Sequence, residues 1–235
     1  MTTAAILEIL ARGGTAGLAL MMALIFLRDA GHAVGARLGL LFALGVAGYA
    51  LVSSNLISEA LGPAALPLNL LAIPTGVLFW WFATALFDDR FVWRSWRLIP
   101  LGLIILAATG HFLPAEGSRL SVISILMWQA VNILLMAHAA VLATRAWPDA
   151  LLGPGRRFRL ALAGLVAILG ITISVMEVRF AGSVFPDWVF QAHGITLFGL
   201  AVLFTGWLIA APTDLFPPDS SGRQPGPDMA RLAPE

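Results

Sequence analysis

Cysteine and lysine are both missing from this chain, and charge of either sign is scarce. Without cysteine there is no disulfide, no thiolate metal site and no cysteine nucleophile. Without lysine all fourteen basic residues are arginine, and a retinal Schiff base, which needs a lysine amine, is excluded. Only 11% of the 235 residues are charged, whereas 59% are hydrophobic. A water-soluble domain carries about 25% charged residues to solvate its surface. The shortfall means that most of this surface faces lipid. Residues 1–10 also lack the basic stretch that opens a cleaved signal peptide, and they run directly into an apolar segment.

What is present is a succession of long apolar runs. Crossing a ~30 Å hydrocarbon layer takes about 20 apolar residues in a helix. Seven segments qualify: 4–27, 35–57, 65–87, 97–112, 121–144, 160–178 and 187–211. The alternating pattern of a membrane barrel is absent. The fold class expected is therefore all-α, a polytopic membrane bundle of seven transmembrane helices. Arginine placement gives it a direction. Eleven arginines fall in the odd-numbered gaps and the C-terminal tail, against Arg119 and Arg179 on the other side. The positive-inside rule then places the N-terminus outside and the C-terminus in the cytoplasm. Residues 1–211 form the membrane domain. Residues 212–235, rich in Pro, Asp, Ser and Gly, read as a disordered cytoplasmic linker or tail. A linker ordinarily leads to another domain, so the chain is expected to be either incomplete or a form that has lost a partner domain.

Polar groups inside spans are costly and default to functional candidates. Glu8 and Arg12 stand four residues apart in the first span, on one helix face, where they can neutralise each other. His111, Gln191 and His193 lie toward the same, outer end of their spans. Together these five form a candidate ligand pocket; the plainer alternative is a set of helix-end groups reaching interfacial water. Asn55, Glu177 and Arg179 also mark outer helix ends. The histidines do not share a depth in the number a metal site needs, and no metal or cofactor is expected. The Gly-x-Ser-x-Gly motif of a serine nucleophile is absent, and nothing in the chain points to an enzyme. Gly13-x-x-x-Gly17 and Gly35-x-x-x-Gly39 have the small-residue spacing that lets helices approach closely. Pro74 and Pro100 are expected to kink their spans.

The densest feature closes the third span: Trp80 and Trp81, then Asp88, Asp89, Arg90, Trp93, Arg94, Trp96 and Arg97. Indole rings favour the headgroup layer, and arginines there pair with phosphate or with neighbouring carboxylates. The stretch is either an interfacial anchor or a docking surface for a cytoplasmic domain.

This same stretch carries a resemblance. From Ile73-Pro74 through the Phe-Trp pair, the Leu-Phe-Asp-Asp-Arg-Phe exit and the closing Trp-Arg, it resembles the seven-span N-terminal membrane region of membrane-bound AraC-type bacterial transcription regulators. The resemblance implies a bacterial inner-membrane sensor whose signal, a small ligand or a change in the membrane, is passed to a cytoplasmic helix-turn-helix domain. That domain is not within these 235 residues, and the tail is slightly acidic, so this chain binds no nucleic acid itself. Partners expected are the lipid bilayer, the signal, the output domain of a full-length relative, and a second copy in a homo-oligomer. A small-solute transporter or carrier is the alternative, because intramembrane charges also mark transport routes.

Overall fold

The computed structural model describes residues 2–31, 33–87, 91–112, 118–145, 154–179 and 186–210. All regular structure among them is helical. Helix α1 (Thr3–Asp29) starts on the Thr2 hydroxyl, which accepts from the Ala5 amide at 3.3 Å. Helix α2 spans Val34–Val52 and stops at Ser53–Ser54, where the backbone turns extended. Next come the short α3 (Asn55–Leu61), a 3-10 turn over Gly62–Ala64 and α4 (Ala65–Ala72). Gly62 supplies the positive φ of 51° that reverses the chain there. Pro74 separates α4 from α5 (Thr75–Phe87), since its ring and missing N–H interrupt the helical ladder. After a 3-10 turn at Ser95–Leu98, α6 (Ile99–Phe112), α7 (Arg119–Arg145), α8 (Pro154–Arg179) and α9 (Asp187–Ala210) complete the bundle.

Among the described residues, six segments are long and apolar enough to cross a membrane: Thr3–Asp29, Val34–Val52, Asn55–Phe87, Ser95–Phe112, Arg119–Arg145 and Trp188–Ile209. The 26-residue α8 adds a further long helix. Two boundaries differ from the sequence reading. The second span ends at Val52 rather than Ile57, because paired serines compete with the helical ladder for hydrogen bonds. The helical stretch before Ala65 belongs to the third segment instead. Pro100 does not kink a span. It sits in the first turn of α6, where no intrahelical N–H is required.

Packing is sequential around a ring. Helix α1 lies between α2 and α9; α2 also meets α4 and α5; α5 meets α7; and α7 carries α6 and α8. Helices α8 and α9 do not run backbone against backbone; their side chains, with those of α1, α2 and α5, wall a common cavity. Close approach depends on a few glycines. A Cβ on Gly39 would sit 3.0 Å from Phe82 and 3.1 Å from Phe26, so this glycine admits the aromatic seam between α1, α2 and α5. Gly13 and Gly17 face open space and hold no helix pair together.

Candidate functional site

The end of the bundle where α1 begins, α2 ends and α9 begins holds the most buried charge. Arg12 is 0% exposed and is the largest fully buried side chain among the described residues. Its Nε donates to Glu8 Oε1 at 3.0 Å, one turn earlier on α1. Nη1 donates to the Ala50 carbonyl at 3.3 Å and to Ser53 Oγ at 2.5 Å. Nη2 donates to the Phe190 carbonyl of α9 at 3.1 Å. One guanidinium thus ties three helices. A charge in this setting is tolerated only because it is paired and its donors are taken up.

Local sequence explains the partners. The last carbonyls of α2 have no intrahelical amide to meet, and Ala50 is one of them. Ser54 occupies the N-cap position of α3, where a serine hydroxyl ordinarily accepts from the first-turn amides. It makes no such bond here and instead donates to Glu8 Oε1 at 2.9 Å. Gly194 of α9 completes the enclosure. A Cβ there would lie 3.3 Å from Arg12 Nε, so glycine is what lets α9 seat against the pair.

Beside this clamp stands Tyr49, the chain's single tyrosine, with its hydroxyl 3.4 Å from His193 Nε2. Their rings meet edge-on at 5.6 Å between centroids. Glu177 of α8 is close enough to act electrostatically on Tyr49, and it accepts a hydrogen bond from Gln129 Nε2 of α7. Polar groups from α1, α2, α7, α8 and α9 therefore gather at one end of the bundle.

Of the five pocket residues expected from sequence, Glu8, Arg12 and His193 come together. His111 does not join them. It pairs with Ser121 Oγ at 2.9 Å, on α6 and α7, because α6 packs on α7 and not on α1, α2 or α9. Gln191 is half-buried two residues before His193 and makes no hydrogen bond among the described residues. The sequence reading missed Ser53, Ser54, Tyr49 and the carbonyls of Ala50 and Phe190. A Ser-Ser pair at a span end was the one visible signal for any of them. Asn55, expected to end the second span, instead begins α3 and is exposed.

Inward of the polar cluster lies a cavity of about 100 Å³. It is walled by α1, α2, α5, α8 and α9 through residues such as Met22, Phe42, Phe82, Val166, Ala201 and Phe204. No charged or hydroxyl-bearing side chain lines it.

The aromatic stretch divides. Trp80 and Trp81 are buried at 3% and 5% exposure, and Arg97 is buried too, so these three are corrected from docking residues to core residues. The physical reason is donor satisfaction inside the bundle. Trp80 Nε1 donates to His138 Nδ1 at 2.9 Å, and Trp81 Nε1 donates to the Arg97 carbonyl at 3.0 Å. The Arg97 guanidinium stacks over Phe91 at 4.2 Å. Trp93, Arg94 and Trp96 are exposed. Trp93 packs edge-on against Trp81 at 5.1 Å between centroids, so the exposed rings rest on the buried ones. Asp88, Asp89 and Arg90 lie outside the described residues, as do His32 and the 212–235 tail.

The Trp80–His138 bond makes a measurable claim. Trp80→Phe removes the donor from an imidazole that is itself exposed, so the loss is that of an ordinary hydrogen bond, about 0.5–1.5 kcal/mol. Thermal unfolding followed by tryptophan fluorescence should show the drop, and His138→Ala combined with it should add little further.

No metal-holding cluster of His, Cys, Asp or Glu exists among the described residues. Compared with protein-family models, curated proteins and solved structures, the chain gives no match.

Proposed function

We propose that the chain is the signal-receiving membrane module of a regulatory protein, similar to the N-terminal region of membrane-bound AraC-type transcription regulators in the bacterial inner membrane. It crosses the bilayer seven times, with α8 as the sixth span, the N-terminus outside and the C-terminus in the cytoplasm. The carrying observation is the clamp. Arg12 ties the outer end of α9 to α1 and α2, and α9 is the helix that leads to the cytoplasmic tail. An event that loosens or tightens the clamp shifts α9 as a rigid rod, and the shift arrives where an output domain would attach. A signal does this only by binding one arrangement better than the other.

The apolar cavity supports a sensor over a solute carrier. A carrier needs polar groups along its route and a site at the midplane. Here the cavity among α1, α2, α5, α8 and α9 is lined by hydrocarbon and aromatic side chains.

The test uses the natural absence of cysteine. Spin labels at Leu27→Cys and Ile209→Cys, both exposed sites at the inner ends of α1 and α9, report the distance between those ends in nanodiscs. Arg12→Gln should displace or broaden that distance distribution. An unchanged distribution removes the relay, and solute flux in proteoliposomes would replace it with the carrier. The same background checks topology. Single cysteines at positions 116 and 148 should be labelled by an impermeant maleimide from opposite sides, 116 from outside.

A further inference from the structure

The opposite end of the bundle, where α5 and α7 end and α6 begins, carries polar groups that the clamp does not use. On α7, Leu134, His138, Val141 and Arg145 are spaced at helical intervals along one face, and all four are exposed. His138 Nδ1 accepts the Trp80 N–H, so that nitrogen carries no proton and Nε2 holds the ring's own. Nε2–H has no partner among the described residues. Trp96 rests against the same Trp80 indole, 5.9 Å between ring centroids. Arg97 and Arg145 both lie close enough to His138 to act on it electrostatically. Arg94 stands one 3-10 turn before Arg97, whose amide donates to the Arg94 carbonyl at 3.0 Å. The 3-10 segment and the end of α7 therefore meet around His138. Arg94 and Arg145 are exposed and make no hydrogen bond or ion pair among the described residues. Guanidinium, indole N–H and Nε2–H are all donors, so the side chains of this surface offer nothing that accepts.

We propose that this surface is a site for one anionic phospholipid of the phosphatidylglycerol type. Its phosphate is held by Arg94 and Arg145, whose long side chains reach toward each other from the 3-10 segment and the helix end. A glycerol ester carbonyl of the same lipid accepts from His138 Nε2–H. An acyl chain lies over Val141 and Leu134, which are exposed at 44% and 70%. The order of groups along α7 follows the order within the lipid. The 27 residues of α7 rise about 40 Å, more than a ~30 Å hydrocarbon layer, so its last turn stands among headgroups. His138 lies two turns deeper, nearer the level of the esters. Basic surfaces between spans bind anionic headgroups in this way. An acidic protein segment would match the arginines but leave the apolar stripe uncovered. Phosphatidylcholine would match the stripe but bring its own cation against the arginines. The site rests on the chain spanning a membrane and not on the sensor reading.

Native mass spectrometry of the full chain, in detergent with equimolar phosphatidylglycerol and chain-deuterated phosphatidylcholine, tests this. The first lipid retained should be phosphatidylglycerol, preferred about twentyfold, or about fivefold for each arginine. Arg94→Gln and Arg145→Gln, both at exposed positions, should each cut the preference about fivefold and together abolish it. Arg37→Gln is the control. It removes the same charge at the same end of the bundle, but Arg37 is committed to the Ala30 and Gly31 carbonyls, and the preference should stay. The dialkyl ether form of phosphatidylglycerol, which lacks ester carbonyls, should bind several-fold more weakly than the diester, and His138→Phe should erase that difference. Inorganic phosphate and glycerol 3-phosphate should not displace the lipid. Equal retention of the two lipids by the wild type overturns the site, as when Asp88 and Asp89 occupy the arginines instead. So does a preference that survives the double substitution, or one that falls equally with Arg37→Gln. Displacement by inorganic phosphate would replace the lipid with a soluble anion, and equal binding of ether and ester forms would remove His138 from the site.

Discussion

Arg12→Ala lowers the stability of the bundle by about 3 kcal/mol, at the lower end of the ~3–5 kcal/mol typical for removing one partner of a buried ion pair. The loss comes less from the pair itself than from what remains. Glu8 is left as a carboxylate with 5% exposure and only the Ser54 hydroxyl in contact, and Ser53 and the Ala50 and Phe190 carbonyls lose their donor. The figure is taken low because an unfolded chain in lipid finds other partners for its polar groups. Glu8→Met combined with Arg12→Met removes both charges and keeps the volume, and it should recover more than half of the loss. Unfolding in mixed micelles, followed by the intrinsic fluorescence of the tryptophans, measures both. A double variant no better than Arg12→Ala would mean that the clamp acts through its hydrogen bonds across helices and not through charge pairing.

Gly48→Val produces the second large effect, about 2–3 kcal/mol of destabilisation, within or near the usual ~1–3 kcal/mol range for overpacking. A Cβ at this position would lie 2.8 Å from the Leu68 carbonyl oxygen and 3.1 Å from Leu71 Cβ. A backbone carbonyl cannot rotate away, so α2 and α4 must separate. Gly17→Val is the matched control. Nothing lies within 4 Å of a Cβ there, and its effect should stay within about 0.5 kcal/mol. Equal losses at both sites would argue that Gly17 meets a second copy of the chain in the membrane.

That pair of glycines shows where sequence reading reaches its limit. Long apolar runs are legible because the bilayer imposes one length on every span, and the helical segments fall close to where hydropathy puts them. Glycine spacing is not legible in the same way. Gly13 and Gly17 have the motif and touch nothing, whereas Gly48 has no motif partner and holds two helices together. Contact depends on which face turns inward, and low amphipathicity along these spans leaves that face unmarked. The site divides along the same line. Glu8 and Arg12 were visible because charge in an apolar run has only one inexpensive solution, a partner one turn away. His111 shared their depth but not their neighbourhood, since depth follows from chain position and neighbourhood from helix order around the ring. Trp80 and Trp81 looked interfacial because indoles favour that layer. They lie in the core because His138 and the Arg97 carbonyl accept their N–H groups.

The hydroxyl of Ser54 has two possible employments, and in this structure it serves Glu8. Helix α3, with no buried residue of its own, consequently begins without a side-chain cap. Removal of the carboxylate, as in Glu8→Met, releases the same hydroxyl to receive the first-turn amides of α3, at Leu56 and Ile57. Those two amides would then exchange with deuterium more slowly, not faster, whereas Arg12→Ala, which leaves the carboxylate its one donor, would not slow them. A seven-residue surface helix thus serves as a gauge of a carboxylate buried one helix away, readable without any label on the protein.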